Sequence, residues 1–136
     1  MVVARIFNLW GTGLSSQLFA GRVDQQVRDV LAGKQERISV GPLSAIRDYI
    51  PLAQASEQIV AITERGDSGQ VYHVASGQPI SMRDLLLKRL ELDGLDFQIV
   101  DESTNNSSRV GYDVPAIYAD ISKTTALLDR IEDARN

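Results

Sequence analysis

Short β-rich apolar runs alternate with segments of helical period along this chain, and that alternation leaves few architectures open. Residues 2–7 (VVARIF), 38–40 (ISV), 71–74 (VYHV) and 97–100 (FQIV) are the strand candidates. The first is apolar enough to read as a strand buried on both faces. Between the strands, apolar residues recur at helical spacing: Phe19, Val23, Val27, Val30 and Leu31 within residues 17–32, then Ala55, Ile59 and Ile62 within 52–65. Gly33 and Gly66 stand where each segment should stop. Ser81-Met82-Arg83-Asp84 has the form of a capping box, with Ile80 and Leu85 spaced as a hydrophobic staple, and predicts a helix running to about Gly94. Asp120 or Ser122 can cap a final helix through Ala126, Leu127, Leu128 and Ile131. Residues 8–16 (NLWGTGLSS) and 101–108 (DESTNNSS) read as loops. The expectation is an α/β chain, with residues 1–136 forming one domain.

Composition narrows the function classes. At 136 residues, 43% of them hydrophobic, the chain can bury a modest core. It has no cysteine, which removes disulfides, thiolate nucleophiles and zinc–thiolate sites and fits a cytoplasmic setting. The first apolar stretch meets Arg5 too early for a signal-peptide core, and no apolar run reaches the length of a membrane span. A formal charge of −4 argues against a nucleic-acid binder. The single histidine, His73, lies inside a strand candidate with no partner nucleophile or acid in view, so a structural role is expected. No spacing of His, Asp or Glu marks a metal site. Gly11-Thr12-Gly13 follows a strand and precedes a helix, but lacks both the third glycine of a dinucleotide loop and the Gly-Lys-Ser/Thr ending of a P-loop.

What remains is a series of arginines beside polar loop residues: Arg5, Arg22, Arg47 and Arg109, with Asn8. Arginine binds a diphosphate through planar, bidentate contacts that lysine cannot reproduce. Scattered arginines also serve as solvated surface or ion pairs, so composition alone leaves both readings open.

Several sequence blocks, taken in order, resemble those of extended short-chain dehydrogenases/reductases acting on nucleotide sugars. Residues 5–11 (RIFNLWG) resemble an R-x-F-N-x-x-G-P block, with Thr12 in place of proline. Gly33-Lys34 and Val40-Gly41-Pro42-Leu43 resemble G-K and V-G-N-L, and Ile46-Arg47-Asp48-Tyr49 resembles R-D-F. Residues 69–77 (GQVYHVASG) resemble G-E-V-Y-N-V-G-S-G and are followed by a matching helix start at 80–86. Residues 109–115 (RVGYDVP) resemble R-P-x-D-V-P, and Asp120-Ile121-Ser122-Lys123 resembles the closing D-x-S-K. The likeness spans about residues 2–128, with a flavour of the GDP-mannose dehydratases and related reductases.

The resemblance implies a partial Rossmann-type sheet with the small substrate-binding subdomain, without the glycine-rich cofactor half. By the same likeness, Asn8, Arg47 and Arg109 match contacts to the substrate diphosphate. The helix around Arg22 matches one near the base, and Asp113 matches a ribose contact. Arg5, within a strand, is expected to be structural. The family's Tyr-x-x-x-Lys pair has no counterpart, because none of Tyr49, Tyr72, Tyr112 and Tyr118 has a lysine four residues later. Pro51 and Gln54 replace two family aspartates, the second of which normally caps the next helix, so that helix start should be weaker.

These features lead to a nucleotide-diphosphate-sugar-binding fragment of an NAD(P)-dependent dehydratase, epimerase or reductase. Alone it is expected to bind no NAD or NADP and to turn nothing over. The alternative is a truncated, self-associating structural module with a vestigial site; a separately encoded cofactor-binding half is a third possibility. A strand at residues 2–7 without its usual neighbours should leave an edge open and favour a homodimer or higher oligomer, through residues 2–8 or 71–73, one that proline at Val3 would disrupt.

Overall fold

The computed structural model describes residues 1–103 and 114–135, with the side chains of the last helix described through Arg130. Its elements in order are β1 (Val3–Ile6), β2 (Asn8–Trp10), α1 (Phe19–Leu31), β3 (Ile38–Val40), β4 (Ile46–Pro51), α2 (Leu52–Arg65), β5 (Val71–Val74), β6 (Pro79–Ser81), α3 (Met82–Leu92), a 3-10 turn at Phe97–Ile99, β7 (Val100–Glu102) and α4 (Ser122–Arg135). β1 pairs with β5, β2 with β4 and β3 with β7, in each case parallel. Parallel ladders interleaved with helices make this an α/β chain of partial Rossmann type.

The residues cluster into two compact units, each assembled from separated stretches of chain. The first comprises Met1–Trp10, Asp48–Pro79 and Ile117–Asn136. Its core holds Ile50, Ala55, Ala61, Ile62, Tyr72, Val74 and Leu127, with Val2, Leu9, Ile59 and Leu128 packed against it. The second comprises Gly11–Arg47 and Ile80–Ala116. It is built on Val23, Val27, Ile38, Leu43, Leu86 and Leu90. There Arg89 joins α1 to α3 by pairing with the buried Asp24 at 3.0 Å and with Asp93.

Local chemistry explains where several elements begin and end. Ser81 caps α3, its hydroxyl accepting the Asp84 N–H at 3.0 Å, and Leu85 behind it is buried. Gly33 follows α1 with φ +74, the left-handed conformation that closes a helix. Gly66 ends α2 differently, in an extended conformation with φ −67. α2 starts after Pro51 with no side-chain cap, and Gln54, expected at the capping position, lies inside the helix instead. In α4, Asp120 acts from just outside the helix, accepting the Ser122 N–H at 2.9 Å.

Three sequence expectations are corrected. Asn8–Trp10, read as loop, is a strand because it finds a parallel partner in Tyr49–Pro51, and tertiary pairing overrides its weak local preference. Residues 97–99, read as strand, form a 3-10 turn. The Asp96 carboxylate accepts the Gln98 N–H at 2.8 Å and bends the chain until β7 begins at Val100.

The third concerns β1, expected to be buried on both faces, whose four residues are all exposed. Val3 donates to Gln70 O and Phe7 to Val74 O, both at 3.0 Å, so alternation turns the Ala4 and Ile6 backbone groups toward the opposite edge. Among the described residues nothing pairs with that edge. The far side of β5 is covered instead by α4: Lys123 Nζ donates to Val71 O at 2.9 Å and Thr124 Oγ1 to His73 O at 2.6 Å.

Gly21, inside α1 and buried, gives a test of the second unit's packing. An added Cβ would lie 2.0 Å from Ser15 O, because the chain at Ser15 crosses directly over the helix. Gly21→Ala should therefore destabilise the protein by about 1–3 kcal/mol, despite the better helix propensity of alanine. Urea denaturation measures this, and a more stable variant would show that the crossing is loose.

Candidate functional site

A buried carboxylate organises the neighbourhood of the sequence-predicted residues in the first unit. Along β4 the exposure alternates, and Asp48 points inward with Ile50 and is fully buried. Its Oδ1 accepts the Ser76 N–H at 2.8 Å and the Ser76 hydroxyl at 2.7 Å. Its Oδ2 accepts the Gly77 N–H at 2.8 Å and the Ala119 N–H at 3.3 Å. The Asn8 side chain donates to the Asp48 backbone oxygen at 3.2 Å, which aligns Asn8 beside its register partner Tyr49 on β4. Asp48 was not singled out from the sequence as more than part of a motif. Its signal was present all the same, since Ile46, Asp48 and Ile50 share one parity in a β-rich run.

The other sequence-predicted residues fall elsewhere. Arg47 and Arg22 belong to the second unit, Asn8 to the first. Arg47 is half-buried on β4, with Nη1 donating to Ile46 O at 2.8 Å. Arg22 is exposed on α1, and its Nη1 donates to Gln17 O at 3.0 Å. Arg109 and Asp113 lie outside the described residues. Arg5 is exposed on β1.

Arg22 stands at a cleft that sequence reasoning missed, because its walls come from distant stretches of chain. This cleft of about 230 Å³ lies within the second unit, lined by Phe19, Arg22, Val23, Gln26 and, opposite them, residues 39–41 with Ser103. Arg22 is the only charged residue in this lining, and it is a cation. Gln26 fixes the wall, since its Nε2 donates to Ser39 O at 2.9 Å and its Oε1 accepts the Ser39 N–H at 2.8 Å.

A shallow groove of about 470 Å³ in the first unit has the opposite character. It is lined by Gly77, Ile121, Ser122 and Thr125 with two carboxylates, Asp120 and Asp129, and no cation, which suits no phosphate. Ser122, donating from its hydroxyl and its backbone N–H, holds the Asp120 carboxyl below the usual carboxylate range.

Other chemistry finds little support here. His73 packs edge-on against Phe7, ring centroids 5.4 Å apart, and its Nδ1 lies 3.2 Å from Asp120 O. A carbonyl only accepts, so Nδ1 donates and the ring is tied to the backbone. Among the described residues no group of three or more His, Asp or Glu is placed to hold a metal. Nor is any helix there long and apolar enough to cross a membrane. The glycine turn after β2 does not fit a dinucleotide pyrophosphate. Residues 14–18 separate Gly13 from the start of α1, so the turn does not deliver an anion to that helix's N-terminus.

The parallel ladders and their helices define a chain of partial Rossmann type, the fold of the short-chain dehydrogenase group. In sequence this protein is similar to a sugar-nucleotide reductase, and in fold to solved structures of sugar-nucleotide-related enzymes. It is 26% identical over 103 residues to GDP-6-deoxy-D-mannose reductase of Pseudomonas aeruginosa, a match covering 75% of this chain and 34% of that protein. It superposes on the structure of RMD from Pseudomonas aeruginosa complexed with NADPH with a TM-score of 0.79, at 20% identity, over 93% of this chain and 41% of that one. For dTDP-glucose 4,6-dehydratase from Bacillus anthracis in complex with NAD the TM-score is 0.75, at 17% identity, over 94% of this chain and 38% of the other. MoeE5 in complex with UDP-glucuronic acid and NAD gives 0.71 at 22% identity, over 94% of this chain and 40% of that one. The chain thus spans about a third of the curated relative that it matches. No family model matches it.

The Asp48 node predicts a large effect from a small change. Asp48→Asn keeps one acceptor oxygen but presents an amide donor to backbone N–H groups, leaving two of them unpaired. The expected loss is about 2–4 kcal/mol of stability, from roughly 1–3 kcal/mol per buried unsatisfied group. Chemical denaturation reads this, and an unchanged midpoint would show that the node carries no stability.

Proposed function

We propose that this chain binds the nucleoside-diphosphate part of a nucleotide sugar, as a portion of an NAD(P)-dependent dehydratase, epimerase or reductase. The observation that carries this reading is the cleft beside α1, where an arginine stands among apolar and neutral polar residues with no carboxylate in the lining. A guanidinium among apolar and neutral polar residues suits a nucleotide better than a metal or a peptide. Asn8, Arg47 and Arg109 are the diphosphate contacts in this proposal, Arg22 serves the nucleoside, and Asp113 the ribose. The order of the sequence blocks and the likeness to a GDP-6-deoxy-D-mannose reductase favour a GDP-sugar. NAD or NADP supplies hydride chemistry in such enzymes, and this chain alone is proposed to bind neither and to catalyse no turnover. A cytoplasmic setting accords with this substrate class.

Titration with GDP-mannose, dTDP-glucose and UDP-glucose tests the reading, since a ligand that binds only the folded state raises the melting temperature. Arg47→Ala should weaken the binding by about 1.5–3 kcal/mol, and Arg47→Lys should restore only part of the loss. Equal affinity in Arg47→Ala would remove Arg47 from the diphosphate contacts. Saturable binding of NADH or NADPH at micromolar concentration would overturn the proposal for the cofactor.

The open edge of β1 favours a second reading, a self-associating module whose nucleotide site is vestigial. Val3, Ile6 and Val71 are 40%, 49% and 38% exposed around that edge, an unusual amount of hydrocarbon beside unpaired backbone groups. A second copy of this chain, paired through Ala4 and Ile6, would cover both; a chain bearing a cofactor half is the competing occupant. Val3 is the wrong position for a proline test, because its N–H is already bound to Gln70 O within the ladder. Ala4→Pro removes an outward donor instead and should shift the protein toward monomer in analytical ultracentrifugation. A wild-type protein that is monomeric at high concentration would exclude self-association.

A further inference from the structure

Resting on the nucleotide-binding reading above, we infer that Glu102 is a positioning residue, which holds one wall of the cleft beside α1 in place for its ligand. Val40, Gly41 and Ser103 line that cleft where the β3–β7 ladder runs out. β3 ends at Val40, and no strand resumes until Ile46. A Cβ on Gly41 would meet nothing within 4 Å, and Pro42 has no N–H to bond. The wall therefore depends on what anchors this turn at its two ends.

Glu102 serves both anchors. Its backbone is the register partner of Val40, and Ser103 next to it donates to Val40 O at 2.8 Å. Its side chain reaches the far end of the turn, where Oε1 accepts the Leu43 N–H at 2.9 Å. The carboxylate is itself fixed, because Arg83 Nη2 donates to Oε2 at 2.7 Å. That guanidinium lies over the Phe97 ring, 5.0 Å from its centre. Arg83 also donates its backbone N–H to Leu43 O at 3.1 Å, so both backbone groups of the buried Leu43 are held. Glu102 does not line the cleft, so it acts through the turn and not by touching the ligand. The rival reading is an ion pair that only stabilises the fold, and Arg37 provides its control. Arg37 grips Asp101 of the same ladder at 2.6 and 2.7 Å, and none of its hydrogen bonds reaches residues 40–43.

Calorimetric titration with GDP-mannose, dTDP-glucose and UDP-glucose tests the assignment, together with amide exchange at Leu43 followed by NMR. Both are measured in the wild type, Glu102→Ala, Glu102→Gln and Arg37→Met. Glu102→Ala should speed Leu43 exchange by about tenfold or more and weaken the tightest of the three ligands by roughly three- to tenfold. Glutamine still offers Leu43 an acceptor, so Glu102→Gln should recover a large part of both, although its amide cannot accept from Arg83. Arg37→Met should leave the affinity within about twofold of wild type. Unchanged Leu43 exchange or unchanged affinity in Glu102→Ala would overturn the inference. So would a Glu102→Gln no better than Glu102→Ala, or an Arg37→Met that weakens binding as much. Failure of all three ligands to bind the wild type would instead sink the nucleotide reading, and this inference with it.

Discussion

One buried carboxylate fixes the geometry of the first unit. A charge on the inward face of β4 is tolerable only because four donors converge on it, three of them backbone N–H groups. Those donors come from chain positions up to 71 residues away from Asp48. Satisfying them brings the turn after β5 and the approach to α4 to the end of the same strand. Gly77 adopts φ +73 there, and a side chain at that position would meet Ile121 at 2.9 Å. The start of α4 at Ser122 thus depends on the turn, and the turn depends on Asp48. Asn8, hydrogen-bonded to the same residue's backbone, inherits its position from this node.

Glutamine performs a related task in both units. Gln26 brackets the N–H and C=O of Ser39, while the buried Gln58 brackets those of Ala75 at 3.0 and 2.8 Å. Each carboxamide offers a backbone residue the pair of hydrogen bonds that a neighbouring strand would give. A neutral group thereby completes β3 and the end of β5, and the cleft beside α1 keeps a wall without charge.

The sequence was most legible where the cause is local. The Ser81 cap and the Gly33 stop both follow from residues within one helical turn of the feature. Elements with non-local causes were misread or missed. β2 exists because of a partner some forty residues away, and the exposure of β1 reflects what does not pair with it, which no window of sequence contains. The candidate site divides the same way. Asn8, Arg22 and Arg47 could be named from residue type and block order. The cleft could not, since it exists only once β3 lies against α1 and Ser103. Asp48 falls between these cases: its inward parity was readable, but its four donors were not.

The β1–β5 ladder is asymmetric in a way that governs how far it can grow. The outer carbonyls of β5 are occupied by Lys123 and Thr124, so that side offers no template for a further strand. Growth is confined to the Ala4 and Ile6 edge. Two molecules that join through identical edges use up both, and a twofold contact of this kind closes on itself. Were both sides of the ladder exposed, the same stickiness would propagate head to tail into an open-ended fibril. A lysine and a threonine on α4 thus leave this ladder a single open edge among the described residues.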